Sequence, residues 1–261
     1  MTEPQFSTIE RQPTYRLVYT AIQNEITCGR LKVGDRLPSE TSLAEQFGVN
    51  RSTVREGIRL LEESGLVTRT GGGRPRVTLP HYLDLASRAS RALVLHSVSF
   101  RELWEAAVVI EPAAAEYAAS RIDDVHLDRL ADSIVRMEDM VRAVEEGRRV
   151  DTDAFVSLDR EFHEIISDST GNRVLALSRE PVARLFIPAG RVILPRLKTH
   201  RRVLDAHIRI LAALREHDTA LVRDWMKRHM EDFKRGYEAT GMSIDTPLDA
   251  VAIGPDAMGT G

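Results

Sequence analysis

Apolar residues at helical spacing predict a first helix over residues 15–27. One face of this stretch is apolar, and its members are Leu17, Val18, Ala21, Ile22 and Ile26. Residues three and four apart share a face of an α-helix, so the pattern is typical of an amphipathic helix. We expect this helix to pack beneath the two shorter helices that follow it.

Two short helices joined by a tight turn are predicted next. Ser39 can cap the first helix by accepting from backbone N–H groups, and Gly48 can end it. Its apolar face is Leu43, Ala44 and Phe47. The second helix begins at Asn50 or Ser52 and ends at Gly65. Its apolar stripe is Val54, Ile58, Leu61 and, less regularly, Leu60. The spacing predicts a helix-turn-helix.

A β-hairpin is predicted directly after the second helix. Residues 66–70 alternate apolar and polar side chains, and Val77 and Leu79 indicate an antiparallel partner strand. The turn at residues 71–75 is rich in glycine, which tolerates positive φ angles and close backbone approach. Arginines at 69, 74 and 76 make the hairpin basic. The three elements together predict a winged helix-turn-helix.

The remainder of the chain shows helical periodicity only. The predicted helices are residues 84–96, 99–119, 123–146, 151–168, 171–187, 191–216 and 218–239. Pro188 and Pro195 are expected to kink or interrupt the chain, because proline lacks the N–H that a helix interior needs. We predict a mostly α protein with an N-terminal winged helix-turn-helix carrying a small β wing (1–80), an all-α helical bundle (84–240) and a disordered tail (241–261).

Composition and charge distribution favour a soluble two-domain protein with one basic surface. The chain has 261 residues, 43% of them apolar, and a net charge of −3. Residues 51–78 nevertheless carry six arginines against three glutamates. This local excess of positive charge is typical of a nucleic-acid interface. A helix-turn-helix also occurs as plain structure in helical proteins, and the basic wing argues against that alternative.

Cysteine content and hydropathy indicate a cytoplasmic protein. Cys28 is the only cysteine, so an internal disulfide is excluded. The first 14 residues are polar and lack the apolar core of a secretory signal. No window approaches the roughly twenty apolar residues that span a bilayer.

The second helix of the helix-turn-helix carries candidate DNA contacts in its first turn. Arg51, Thr53 and Arg55 fall there. Arginine can bridge O6 and N7 of guanine, and short hydroxyl groups reach phosphates or thymine methyls. Ser52 belongs to the same turn, and Gly72 and Arg74 are the candidate contacts in the wing.

A carboxylate and three histidines interrupt apolar stripes of the helical bundle. Asp159 and His163 are four residues apart on a helix with the stripe Phe155, Leu158, Phe162 and Ile166. His207 and His229 interrupt two later stripes. Four such groups in an apolar bundle predict a divalent-metal site, because coordination repays their desolvation. Zinc is expected, with nickel and manganese as alternatives; the competing interpretation is a set of ordinary hydrogen-bonded core histidines.

The N-terminal eighty residues resemble the GntR family of transcription regulators. The residues that carry the resemblance are Gly34 to Glu40, Leu43, Ala44, Val49, Arg51, Val54, Arg55, Leu60 and Gly65. The resemblance implies DNA contacts from Arg51, Thr53, Arg55, Gly72 and Arg74. It also marks Thr41, which stands where many members have a DNA-contacting arginine.

Residues 99–239 resemble the FCD domain, the helical effector-binding domain of the FadR branch of that family. In many members an Asp-x-x-x-His pair and two later histidines bind a metal, and those positions match Asp159, His163, His207 and His229. The resemblance implies a small-molecule effector and a homodimer that recognises a palindromic double-stranded DNA operator.

One departure concerns the effector pocket. Ala107 stands where members that bind small carboxylates have an arginine. Arg160, Arg191 or Arg196 could supply the missing charge from another helix. Alternatively the effector is larger and more apolar, with room left by Ala106, Ala107 and Phe186. The sequence leaves both alternatives open.

We therefore expect a ligand-responsive, sequence-specific transcription regulator, a repressor as is common in the family. The alternative is a metal-dependent hydrolase with an incidental winged helix. His163 and Glu164 begin like the His-Glu-x-x-His motif of zinc proteases, but Ser167 stands where the second histidine is required. No nearby base is evident for hydrolysis.

Overall fold

The computed structural model describes residues 12–69, 73–79 and 82–248 of the chain. The chain divides into two compact units, Met1–His81 and Tyr82–Gly261. We call them the N-terminal unit and the helical unit.

The N-terminal unit contains the predicted helix-turn-helix. Its helices are α1 (Thr14–Thr27), α2 (Glu40–Phe47) and α3 (Arg51–Glu63). Ser39 caps α2 by accepting from the backbone N–H of Ser42, and Asn50 caps α3 by accepting from that of Thr53. Gly48 ends α2 at φ +64°, a left-handed conformation that glycine adopts without strain.

The core of the N-terminal unit uses one face of each helix. Its buried side chains are Val18, Ile22, Leu37, Leu43, Ala44, Val54, Ile58, Leu61, Val67 and Val77. Gly57 lies where α1 crosses α3, and a Cβ there would lie 2.8 Å from Cγ1 of Val18. The close crossing therefore requires glycine. Leu17 and Phe47, both assigned to buried faces by the pattern, are exposed instead.

The wing is a two-stranded antiparallel sheet of β1 (Val67–Thr68) and β2 (Arg76–Val77), with Val67 opposite Val77. Residues 34–37 extend it, because Val77 N–H donates to the carbonyl of Asp35 and Leu37 N–H donates to that of Pro75. The periodicity did not indicate this added segment, which pairs with the wing through an isolated bridge between Arg36 and Arg76. Gly72 lies outside the described residues.

The described part of the helical unit contains seven helices. They are α4 (Tyr82–Leu95), α5 (Phe100–Ala119), α6 (Asp124–Glu145), α7 (Thr152–Ser169), α8 (Arg173–Leu197), α9 (His200–Arg215) and α10 (Thr219–Ala239). Their main core includes Leu130, Met137, Phe155, Phe162, Ile165, Leu204, Leu214 and Met226. Ser97, Gly147 and Gly171 lie between helices and have positive φ angles.

The predicted interruption between residues 187 and 191 is wrong, because α8 runs through Pro181, Pro188 and Pro195. It ends instead at Lys198, which has φ +50°. Each proline removes one backbone donor. The helix buries Leu185, Pro188, Ala189, Ile193 and Leu194 against its neighbours. We attribute the continuity of α8 to this burial. Helix propensity reflects the local sequence alone and does not include such tertiary contacts.

The predicted disordered tail also begins too early. Residues 241–248 pack on the start of α5, where Arg101 N–H donates to the carbonyl of Ile244 and Leu248 N–H donates to that of Val98. Arg101 also forms an ion pair with Asp245 at 2.6 Å. Ile244 is buried in an aromatic cluster that includes Phe100 and Tyr237. Burial of Ile244 explains why this Gly- and Pro-containing segment is ordered; residues 249–261 lie outside the described part.

In the described residues, the helices are too short or too polar to cross a lipid bilayer.

Candidate nucleic-acid interface and metal centre

The first turn of α3 presents most of the predicted DNA contacts. Arg51, Ser52 and Arg55 are exposed, and Thr53 is half-buried. Asn50 Oδ1 accepts from the hydroxyls of Ser52 and Thr53 at 2.8 and 2.6 Å, and from the Thr53 N–H at 2.8 Å. A single cap residue therefore holds both hydroxyl side chains at the positive end of the helix, where an anion is stabilised.

Glu40 links the two helices of the motif to the wing. Its carboxylate lies 3.0 Å from Nη2 of Arg55 and 3.2 Å from Nη2 of Arg69. The hydrogen bond from Arg55, helped by Arg69, holds the pKa of Glu40 below its usual range against the effect of partial burial. Arg69 also pairs with Glu62 at 2.6 Å. The role of Glu40 was not predicted, because its partners are 15 and 29 residues away.

The remaining predicted DNA contacts lie on α2 and the wing. Thr41 follows Glu40 and is exposed. Arg74 is exposed beside the wing turn, while Arg76 donates to the carbonyl of Gly34 at 2.9 Å. Gly72 remains a prediction, since it falls outside the described residues. The side chains of Arg51, Arg55 and Arg74 are exposed, so they can reach phosphates or base edges of DNA without a rearrangement of the core.

The four predicted metal ligands come together in the helical unit. Asp159 and His163 lie one turn apart on α7, His207 is on α9 and His229 is on α10. One ligand atom from each lies within 4.8 Å of those from the others. His163 Nε2 lies 3.2 Å from His229 Nε2, and His207 Nε2 lies 3.3 Å from Asp159 Oδ1. The three imidazoles are buried, and the Asp159 carboxyl is partly open to the cavity described below.

His207 is the least satisfied group of the cluster. Its side chain is fully buried, and neither ring nitrogen has a well-aligned hydrogen bond. The ring stacks on Phe162 at a centroid distance of 3.9 Å. An unpaired buried polar atom is costly, and coordination of a divalent cation would remove that cost. The residues present therefore fit a metal.

Burial and neighbouring charges set the protonation of the cluster. Burial lowers the pKa of His229 to about 3, and burial also lowers the pKa of His207. Burial would raise the pKa of Asp159, but His207, His163 and His229 outweigh it and hold the pKa of that carboxyl below its usual range. For His207 and His229, burial therefore favours the neutral imidazole, which is the form of histidine that binds metals.

Two residues that the sequence did not indicate, Glu111 and Arg179, contact the cluster through the Nδ1 side of His163. Glu111 on α5 is buried, and its Oε2 lies 3.1 Å from His163 Nδ1. Arg179 on α8 donates to Glu111 Oε1 at 2.7 Å. Burial opposes ionisation of Glu111, but Arg179 and His163 overcome it and lower the pKa to about 2. A carboxylate on the distal nitrogen of a histidine ligand fixes its ring orientation. The sequence held one signal for this role, because Glu111 is the single charged residue in the apolar run of residues 106–115.

A cavity of about 500 Å³ adjoins the cluster. Arg160 and Phe186, both predicted for the effector pocket, line it, together with the candidate ligands Asp159, His163 and His229. The predictions for Ala107 and Arg191 need correction. Ala107 is buried in the helix packing and is not part of the lining, and Arg191 pairs with Asp153 at 2.6 Å. Both corrections have one cause: the sequence did not show which helix faces border the cavity.

Family models match both units of the chain. Residues 14–77 match the gntR family of bacterial regulatory proteins, and residues 102–232 match the FCD domain. The chain belongs to the GntR family of regulators with a C-terminal FCD domain.

Named relatives agree with this assignment. The chain is 24% identical over 244 residues to the transcriptional repressor NanR of Shigella dysenteriae, covering 91% of this chain and 89% of that protein. It is 27% identical over 217 residues to the transcriptional regulator LutR of Bacillus subtilis, covering 80% and 95%. It is 28% identical over 180 residues to the Glc operon transcriptional activator of Escherichia coli, covering 68% of each.

A solved structure shows the same fold. A GntR protein of Streptococcus agalactiae superposes with a TM-score of 0.56 at 26% identity, covering 85% of this chain and 99% of that one. Family, relatives and structure together identify a DNA-binding transcription regulator and not an enzyme. The hydrolase alternative is not favoured.

Proposed function

We propose that the protein is a homodimeric repressor whose operator affinity changes when a small molecule binds beside a divalent metal in the helical unit. The observation that carries the proposal is the convergence of Asp159, His163, His207 and His229 within 4.8 Å, next to a cavity of about 500 Å³. A cavity of that size can enclose a small-molecule ligand.

The donor set favours zinc, with nickel and manganese as alternatives. Three imidazole nitrogens and one carboxylate oxygen suit the borderline-soft divalent metals better than the hard cations, which prefer oxygen. His163 is held by Glu111, and His207 is held by its stacking on Phe162. When bound, the metal would supply a localised positive charge at the inner end of the cavity.

The DNA side of the proposal rests on α3. Arg51 and Arg55 would contact base edges, while Ser52, Thr53 and the wing residue Arg74 would contact phosphates or thymine methyls. Thr41 and Gly72 complete the predicted surface. A two-fold symmetric dimer places two such helices in successive turns of the major groove, so its operator is expected to be palindromic.

The test measures binding of the purified chain to a labelled duplex of its own promoter region by fluorescence anisotropy at about 0.15 M salt. The proposal predicts at least ten-fold tighter binding than to a shuffled duplex of equal composition. Sedimentation should give a particle of twice the 29.3 kDa chain mass. Equal affinity for both duplexes, or a monomer on the operator, would contradict the proposal.

The direction of control has a separate test. A reporter gene behind the same promoter should be expressed more strongly when the regulator gene is deleted. Weaker expression in the deletion strain would show activation and contradict the repressor assignment.

A further inference from the structure

Residues 242–248, which we call the C-terminal strap, follow α10 and lie against the joint between α4 and α5. Two main-chain hydrogen bonds hold the strap there. Leu248 N–H donates to the carbonyl of Val98 at 2.9 Å, and Arg101 N–H donates to the carbonyl of Ile244 at 2.8 Å. The strap therefore ties the end of the described chain to the first turn of α5 and to the segment before it.

The strap supplies part of the cap of α5. Ser99 accepts from the Glu102 N–H, and the Glu102 carboxylate accepts from the Ser99 N–H. Arg101 N–H belongs to the same first turn, in which backbone donors have no acceptor within the helix. The carbonyl of Ile244 accepts from it. Release of the strap would leave this donor to water and would loosen the start of α5.

The joint that the strap holds contains an unfavourable backbone conformation. Ser97 has φ +57°, in the left-handed region that costs a residue other than glycine free energy. Such a conformation persists where surrounding contacts hold it. Val98, the next residue, accepts from the strap through its carbonyl. Loss of the strap would therefore remove one of the contacts that keep this joint in place.

The strap also packs against residues that belong to the cavity wall. Ile244 is buried in an aromatic cluster with Phe100 and Tyr237. Phe186 and Phe233 pack against that cluster and line the cavity as well. Phe186 lies edge-on to Phe100 at a centroid distance of 5.7 Å. Because protein interiors are closely packed, a ligand that displaces these cavity-lining rings must also disturb the packing around Ile244.

Leu248 connects the cavity wall to α4. It packs against the aromatic cluster and also against a second apolar cluster, which contains Val94 of α4 and Leu185 of α8. Phe186 packs against both clusters too. α4 begins at Tyr82, directly after the last residue of the N-terminal unit. One short segment thus packs on clusters that include both the cavity wall and the helix that follows the DNA-binding unit.

The strap is held by few contacts. Ile244 is its only buried residue, while Met242 and Leu248 are half-buried and the other four residues are exposed. The ion pair of Asp245 with Arg101 joins two exposed side chains, so it contributes little. Segments with few buried contacts open locally at a lower free energy than the whole unit unfolds. The strap can therefore detach while the rest of the helical unit stays folded.

We infer that the C-terminal strap is a releasable brace through which the cavity acts on α4. When docked, the strap fixes the joint between α4 and α5; a ligand that displaces the aromatic wall releases it. The inference rests on the proposed function, since it assigns the step between the cavity and the operator. The FCD match ends at residue 232 and does not include the strap.

The expected consequence of release is weaker operator binding. α4 follows the N-terminal unit directly, so a freed joint lowers the fraction of dimers whose two recognition helices match both half-sites. The apparent affinity falls in proportion to that fraction. Binding to a shuffled duplex needs no such match and should not change.

A pair of full-length variants tests the strap without knowledge of the ligand. Ile244→Asp places a carboxylate in the aromatic cluster, where it has no partner, so the strap should detach and expose it to water. Thr246→Asp adds the same charge at an exposed position of the strap and is the matched control. By fluorescence anisotropy, Ile244→Asp should bind the operator about ten-fold more weakly than the wild type, and Thr246→Asp should bind it equally well.

Hydrogen exchange separates coupling from a purely structural role. In Ile244→Asp the amides of a peptide covering residues 95–104 should exchange faster, because Arg101 N–H loses its acceptor, whereas those of α7 should not change. Faster exchange at the joint with undiminished operator affinity would show that the strap only stabilises the fold, which would overturn the inference. Unchanged exchange at the joint would overturn it too.

Leu248→Ala covers the case in which Ile244→Asp does not fold. This variant removes the apolar contact to the clusters around α4 without adding charge, so it should give a smaller loss of operator affinity in the same direction. An unfolded Ile244→Asp, judged by circular dichroism, together with full operator affinity of Leu248→Ala would show a strap that is part of the core and not releasable.

The two levels of the account can fail separately. A wild type that binds its operator no more tightly than the shuffled duplex contradicts the proposed function. A wild type that recognises its operator, with an Ile244→Asp variant that is folded and binds equally tightly, contradicts the role of the strap alone.

Discussion

Both units of the chain are organised by glutamate–arginine pairs, but the pairs lie in opposite environments. In the N-terminal unit Glu40 bridges Arg55 and Arg69, whose side chains are 64% and 35% exposed. In the helical unit Glu111 bridges Arg179 and His163, whose side chains are 4% and 5% exposed. The first set is open to a partner, and the second is fixed inside the protein.

The difference in exposure gives the two glutamate–arginine pairs different roles. An exposed pair contributes little to stability, so Arg55 can exchange Glu40 for a DNA phosphate at small cost. A buried pair has already lost its water, and removal of one member leaves an uncompensated charge. Exposed pairs therefore suit a surface that binds DNA reversibly, and buried pairs suit a site whose ligands must hold one geometry.

The largest expected effect follows from breaking the buried pair. Glu111→Ala removes the hydrogen-bonded partner of Arg179 and leaves it only the longer contact with Glu180 at 3.8 Å. It should lower the free energy of unfolding of the helical unit by about 3–5 kcal/mol. Urea unfolding followed by tryptophan emission measures this unit alone, because Trp104 and Trp225 are the only tryptophans and lie on α5 and α10.

Glu145→Ala is the matched control for that experiment. Glu145 forms a two-bonded pair with Arg201 at 2.9 Å in the same unit, but both side chains are about half exposed. Its removal should leave the unfolding midpoint nearly unchanged. Equal destabilisation by the two variants would contradict the distinction between buried and exposed pairs.

A smaller effect is expected from Arg51→Ala at the first turn of α3. Loss of a base or phosphate contact should weaken operator binding about 10- to 100-fold, as measured by anisotropy. The melting temperature should not change, because the side chain is exposed. Arg142→Ala, which removes an exposed arginine from α6, controls for net charge. If both variants bind the operator as the wild type does, α3 is not the recognition helix.

The smallest expected effect comes from Thr41→Arg. Thr41 is exposed on α2 beside Glu40, so an arginine there can reach DNA without steric cost. One added phosphate contact should steepen the dependence of log affinity on log salt by about 1. Thr41→Gln lengthens the side chain without charge and should leave the slope unchanged. A slope unaltered by arginine would place residue 41 away from the DNA.

The sequence predicted local features well and long-range ones poorly. Asp159, His163, His207 and His229 could be singled out as candidate ligands because each interrupts an apolar stripe, which is a local signal. The pair of Glu111 and Arg179 could not, since 68 residues separate them. The spacing of apolar residues shows which face of a helix is buried, but it does not show which other helix packs against that face.

The prolines of α8 and the segment after α10 are two further cases in which tertiary contacts overrode the local sequence pattern. Pro188 and Pro195 predicted a break in the helix. The structure has a continuous α8 instead, in which Ile193 and Leu194 are buried. Residues 241–248 have the composition of a loose tail, yet Ile244 is buried against the aromatic cluster around Phe100. Tertiary contacts decided both cases.

Metal content is the most direct test of the central claim. Wild-type protein and His207→Ala, both stripped with a chelator, reloaded with zinc and desalted, are compared by elemental mass spectrometry. His96→Ala serves as the histidine-matched control, because His96 is exposed. The account predicts about one zinc per chain in the wild type and in His96→Ala, and almost none in His207→Ala. A wild type without bound zinc, nickel or manganese, or a His207→Ala variant that retains a full equivalent, would contradict it.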